Sequence, residues 1–253
     1  MLLEHKNAVV YGAGGSIGGA VSRAFAREGA RVFLAGRTRA TLETVAEAIR
    51  ATGGTAQIAE VDALDEQAVD EHADAVAADA GGIDISFNLI THPFTHGTPM
   101  AEMSVDDYLA PVTLPVRSRF LTSRAAARHM IPRRSGVILF FGGEGDRSVH
   151  RKYHLGGLVT GFVAVEAMRR QLAGELGPYG IRVITLVSGG VPESLPADFP
   201  GRDELIADLT APTALGRTAT LADVGNAAVF AASDWAAALT GATLNVSCGA
   251  FLD

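Results

Sequence analysis

Glycines stand at positions 12, 14, 15 and 18 of the run YGAGGSIG. Glycine lets a backbone turn tightly and come close to a ligand. The run follows an apolar stretch, AVVY, and opens a helical pattern. A helix entered this way offers free N–H groups and the positive end of its dipole to a phosphate. Gly12, Gly14, Gly15, Ser16, Ile17 and Gly18 are therefore the expected contacts of a dinucleotide's phosphates. The alternative is a glycine-rich turn that only packs helix on strand.

A second signal lies one strand later, in VFLAGRTRATLE. A domain that binds NAD usually ends this strand in a carboxylate that holds the ribose 2′-hydroxyl. Here the chain has Gly36, then Arg37, Thr38 and Arg39. A guanidinium can pair with a 2′-phosphate through two parallel hydrogen bonds. Arg37 and Thr38 thus point to NADP(H) rather than NAD(H), the alternative being an arginine that caps a loop in water.

The elements that position these residues follow from hydrophobic patterning. Short β-branched runs at 8–11, 31–35, 55–61, 83–89, 136–141, 182–187 and 243–246 read as strands. Alanine-rich helical stretches lie between them, near 16–28, 39–52, 65–80, 101–130, 155–176 and 221–232. This alternation predicts an α/β single-domain Rossmann fold: a doubly wound parallel sheet of about seven strands with helices on both faces. Pro111 and Pro115 should delay or kink the helix over 101–130, because each lacks an N–H and crowds the preceding turn. The proline-rich stretch 192–216 encloses a helical island, RDELIADL, and is expected to be a substrate lid within the one domain, 1–253.

Composition narrows the function classes. A net charge of −7 argues against nucleic acid, and the basic clusters RHMIPRR and AMRR read as solvated helix surface. The single cysteine, Cys248, excludes an internal disulfide and a multi-cysteine metal site, and fits a cytoplasmic protein. No run approaches the ~20 apolar residues of a membrane span, and the first residues read as a strand entry rather than a signal peptide. His92 and His96, in THPFTHG, would make a metal pair only on a helix, which Pro93 opposes.

Across its whole length the chain resembles the short-chain dehydrogenase/reductase superfamily. YGAGGSIG is similar to that family's Thr-Gly-x-x-x-Gly-Ile-Gly loop, with Ser16 in place of the middle glycine. VDALDE resembles the segment whose aspartate meets the adenine, here Asp62 with Ala63 beside it. GIDISFNLIT resembles the strand ending Asn-Asn-Ala-Gly, of which Asn88 is kept. GELGPYGIRVITLVSGG and the C-terminal GRTATLADVGNAAVFAASDW are similar to the family's later segments, with Ser188 where proline is usual. The resemblance implies a Rossmann domain that acts on a small molecule and assembles as a homodimer or homotetramer through helix packing. No membrane or nucleic-acid partner is expected.

The resemblance also implies a catalytic tyrosine, a lysine four residues later, a serine and an asparagine. Anchored on AVEAMRRQLAGEL, the tyrosine position falls on Leu158 and the lysine on Phe162. The serine falls among Gly142, Gly143, Glu144 and Gly145, and the asparagine on Pro115. No Tyr-x-x-x-Lys occurs anywhere in the chain. Replacement acid–base groups are sought in GEGDRSVHRKYHLGG, where His154, Tyr153 and His150 are the candidates. His154 lies four residues before Leu158, one turn up the same face if the helix begins early. Three readings stay open: an atypical NADP(H)-dependent oxidoreductase acting on a small, partly apolar carbonyl or alcohol; a non-redox lyase, cyclase or isomerase; and a catalytically silent NADP(H)-binding protein.

Overall fold

The computed structural model describes residues 1–143 and 152–252. Seven strands form one sheet: β1 Asn7–Tyr11, β2 Arg31–Gly36, β3 Thr55–Glu60, β4 Ile85–Asn88, β5 Gly136–Gly143, β6 Ile181–Ser188 and β7 Ala242–Asn245. Their spatial order is β3-β2-β1-β4-β5-β6-β7, and every pairing is parallel. Parallel strands need crossovers, and helices supply them. These are α1 Ser16–Arg27, α2 Arg39–Ala51, α3 Glu66–Ala80, α4 Val105–Arg133, α5 Gly157–Leu176, α6 Arg202–Thr210 and α7 Leu221–Ala232.

The strand interiors are nearly continuous in apolar side chains because both faces of the sheet are covered. Alternate residues enter two cores. Val10, Leu34, Phe87 and Leu139 pack with α1, α2 and α7 residues such as Phe25, Leu42 and Val224. Val9, Phe33, Ile138 and Phe140 pack on the other face with Val69, Leu121 and Met130 of α3 and α4. Chain order reverses between β1 and β4, the place where doubly wound sheets bind ligands. There Tyr11, Ala35, Asn88 and Phe140 stand in register.

The helix over 101–130 begins late, as expected, but ahead of its prolines, and its helical hydrogen-bond pattern runs on through them. It starts at Val105, capped by Ser104, whose hydroxyl accepts from the Asp107 N–H at 3.1 Å, and it continues through Pro111, Pro115 and Pro132. Pro115 leaves the Pro111 carbonyl without its usual N–H, and α5 supplies the contact instead. Gly161 approaches so closely that a β-carbon there would sit 2.2 Å from that oxygen. The basic clusters lie largely on solvated helix surface, as expected: Arg128, Arg133, Arg134 and Arg170 are exposed, and Arg169 is the exception. Arg169 is 3 % exposed and pairs with Glu166 at 2.8 Å. Arg128 and His129 pair with Asp70 and Asp74 of α3 at 3.0 and 2.8 Å.

Candidate functional site

The glycine loop is shaped by close backbone approach. Gly12 adopts φ +82°, and a β-carbon there would meet the Leu89 carbonyl carbon at 3.0 Å. At Gly18 a β-carbon would lie 2.1 Å from the Gly12 oxygen, so only glycine lets α1 enter against its own loop. At Gly14 it would lie 2.3 Å from Thr41 Oγ1, which brings the start of α2 beside the start of α1. Gly15 is the N-cap of α1 and Thr38 that of α2, and neither helix has a side-chain cap. The helices α5 and α6 also start without a side-chain cap, whereas α3, α4 and α7 are capped by Asp65, Ser104 and Thr220. Two helix ends without capping side chains thus converge where a phosphate would be cradled, and the residues fit such a group. Ser16 and Gly15 are exposed there and Ile17 is half-buried.

Arg37 is exposed beside this junction, and no ion pair engages it among the described residues. Its neighbour Arg39 reaches Glu60 at 3.8 Å. Asp62 is exposed and its Oδ1 accepts from the Leu64 N–H at 3.0 Å, with Ala63 buried behind it. The structure therefore groups the glycine loop, Arg37, Thr38, Asp62 and Ala63 around the ends of β1, β2 and β3.

The other half of the crevice differs. Asn88 is 1 % exposed: its Nδ2 donates to Thr122 Oγ1 at 3.1 Å, and its Oδ1 accepts from the Ile90 N–H at 3.2 Å. Strand β5 ends in Gly142 and Gly143. A β-carbon at Gly143 would lie 2.9 Å from Phe162 Cε2, so the aromatic ring of α5 occupies the space a side chain at 143 would need. Leu158 sits one turn before Phe162 on the same helix, partly buried.

Sequence reasoning passed over a buried cation nearby. Arg119 of α4 is 6 % exposed; its guanidinium donates to the Phe141 carbonyl at 2.7 Å, while Nε finds no partner. Burial pulls its pKa down to about 10, opposed by Glu166. His92 stands close by, its Nε2 3.2 Å from Ser118 Oγ. Burial lowers the His92 pKa to about 4, helped by Arg119 and Arg37 and opposed by Asp62, so the imidazole is neutral at pH 7. Residues 92–97 form no helix, so His92 and His96 do not stack as a helical pair. The one signal for Arg119 was a charge on an otherwise small and apolar helix face.

The three acid–base candidates are placed unevenly. His150 lies outside the described residues. Helix α5 starts only at Gly157, after His154 and Gly156 both take positive φ, so His154 is an exposed turn residue rather than a member of the helix. Tyr153 donates its hydroxyl proton to Asp208 of α6, and Lys152 Nζ reaches Asp208 at 2.5 Å and Glu204 at 3.0 Å. Asp208 and Glu204 push the Lys152 pKa up, and Asp208 does the same to Tyr153. The segment 192–216 begins with a 3-10 turn, Pro192–Ser194, whose Ser194 carbonyl accepts from Ser16 Oγ at 3.4 Å. It thus runs from the glycine loop to the helical residues Lys152 and Tyr153. Leu195, Phe199, Leu205, Ile206 and Leu209 are all half-buried along it.

Comparison with known proteins bears on this arrangement. The family described as enoyl-(acyl carrier protein) reductase matches residues 12–250. Galactitol 2-dehydrogenase (L-tagatose-forming) of Cereibacter sphaeroides is 31 % identical over 98 % of this chain and 95 % of its own. L-rhamnose 1-dehydrogenase (NAD(P)+) of Azotobacter vinelandii is 30 % identical over 100 % of this chain and 99 % of its own. A solved short-chain dehydrogenase/reductase from Serratia marcescens superposes with a TM-score of 0.83 at 28 % identity, covering 98 % of this chain and 99 % of that one.

Proposed function

The chain belongs to the short-chain dehydrogenase/reductase superfamily, and within it we propose an NADP(H)-dependent oxidoreductase with a non-standard site, acting on a small, partly apolar carbonyl or alcohol. One observation carries this reading: two helix ends without side-chain caps meet at Gly14 with Arg37 beside them and no acid at the end of β2. Arg37 and Thr38 would hold the 2′-phosphate, the glycine loop the pyrophosphate, and Asp62 with Ala63 the adenine. Asn88 supports the crevice through its backbone neighbours. When bound, the cofactor supplies the hydride.

The protein must then supply position and a proton at the substrate oxygen. Leu158 and Phe162 give that end of the crevice apolar walls, and the half-buried apolar side chains of 192–216 would close over it as a lid. Two relatives are named as dehydrogenases of a polyol, galactitol, and of a sugar, L-rhamnose; the walls here favour a substrate with more hydrophobic surface. Tyr153 is committed to Asp208, which makes His154 the leading proton donor, with His150 as the neighbouring alternative. A homodimer or homotetramer in the cytoplasm completes the reading. It draws support from the apolar residues Val105, Leu109 and Phe120 exposed on α4, and from the single cysteine.

A second reading, a catalytically silent NADP(H)-binding protein, is favoured by the Phe162 ring filling the space above Gly143. A panel of aldehydes and ketones, followed by NADPH oxidation, separates the two. Turnover that falls ~10²-fold or more in His154→Ala supports the oxidoreductase with this donor. Turnover unchanged in that variant removes His154 from the mechanism, and no turnover on any substrate favours the silent protein.

A further inference from the structure

We infer that Asp208 of α6 is the catch of a polar latch that holds the segment 192–216 down, with Lys152 and Tyr153 as its other side. What the closure is for, covering the substrate, rests on the reading proposed above; the latch itself rests on contacts alone. The segment is anchored at both ends. Ser16 Oγ donates to the Ser194 carbonyl at 3.4 Å, and the Glu193 carboxylate accepts from the Leu221 N–H at 2.8 Å. At the far end the Ala214 and Leu215 N–H groups donate to the Gly249 and Cys248 carbonyls at 3.2 and 3.1 Å. Between these anchors α6 is weakly held by packing. None of its nine residues is buried. An element with so little buried surface opens at low cost.

Among the described residues, the side-chain hydrogen bonds between α6 and the rest of the molecule all come from Lys152 and Tyr153. Lys152 Nζ bridges Asp208 at 2.5 Å and Glu204 at 3.0 Å, which stand one turn apart on α6. The Tyr153 hydroxyl donates to the same Asp208 oxygen, Oδ2, that Lys152 reaches. Hydrogen bonds to an ionised carboxylate are stronger than neutral ones, and exposed ion pairs are the weak ones. The Asp208 side chain is 27 % exposed and that of Glu204 72 %, so Asp208 carries more of the hold. The other side of the latch is itself fixed. The Gly97 N–H donates to the Tyr153 carbonyl at 2.8 Å, and α5 with Leu158 and Phe162 begins four residues on. The latch thus ties three pieces together: the loop after β4, the approach to α5, and α6. Release of α6 requires both bonds to Asp208 to break.

Hydrogen–deuterium exchange on the full chain, without cofactor, tests the latch. Lys152→Met combined with Tyr153→Phe removes its polar groups and leaves every residue of α6 in place. The amides of 202–210 should then exchange at least ~5-fold faster, with those of β5 and β6 unchanged. About 1 M NaCl should speed the same amides in the parent and not in the variant. A change under ~2-fold in the variant, an acceleration spread equally over β5 and β6, or no effect of salt on the parent would overturn the inference. Failure to bind NADPH would remove the cofactor reading and leave the latch to be decided by exchange alone.

Discussion

His72 shows how one side chain ties the fold to pH. It lies edge-on to Tyr11, the last residue of β1, with ring centroids 5.9 Å apart, and its buried Nδ1 has no partner. Burial lowers its pKa from 6.5 to about 4. A histidine depressed in the folded state binds its proton more readily when unfolded. Its neutral form is therefore no burden above about pH 6.5, and stability is lost as pH falls from there towards 4. His92, lowered to about 4 as well, acts in the same window. Urea unfolding at pH 7 and pH 4.5 should show His72→Leu gaining about 2 kcal/mol on the parent between the two conditions. A pH-independent difference would mean that His72 is not held neutral. Neither the burial of this histidine nor the His92–Ser118 pair was legible in the sequence, because their surroundings come from elements distant along the chain. The glycine loop and Arg37 were legible because their context, strand then glycines then helix, is local.

At the scale of elements, α4 and α5 pack through close backbone contact. Gly157 and Gly161 lie four residues apart on α5, so they share a face, and β-carbons there would lie 1.9 and 2.2 Å from the Tyr108 and Pro111 oxygens. Those are backbone atoms and cannot swing aside. Gly161→Ala should therefore cost about 1–3 kcal/mol by overpacking, and chemical denaturation reads this directly. A change under ~0.5 kcal/mol would show that the helices are not in this close register. The prolines of α4 fit its late start at Val105, while its unbroken run beyond them was not legible, because the carbonyl that Pro115 frees faces a glycine of a distant helix. Most strand and helix limits, by contrast, fell within a few residues of their hydrophobic patterns, since burial on two faces imposes a period that is visible in the chain. The tie between 152–153 and α6 was invisible, because Tyr153 and Asp208 are 55 residues apart and ordinary polar residues by type.

For the whole molecule, self-association through α4 is expected. At 100° per residue, Val105, Leu109 and Phe120 fall within roughly 60° of one another on its surface. All three are exposed, at 71, 43 and 48 %. Phe120→Glu should shift the molecule from dimer or tetramer to monomer in light scattering, with little change in the monomer's fold. A parent protein that is already monomeric would contradict this.

The claim on which the rest depends is that the glycine loop and Arg37 form an NADP(H) site. Titration of the purified protein with NADPH and with NADH, followed by nicotinamide fluorescence and repeated on Arg37→Asp, tests it most directly. NADPH should bind at least ~10-fold tighter than NADH, with that preference abolished in the variant. Equal binding of the two, or a preference untouched by Arg37→Asp, would contradict it.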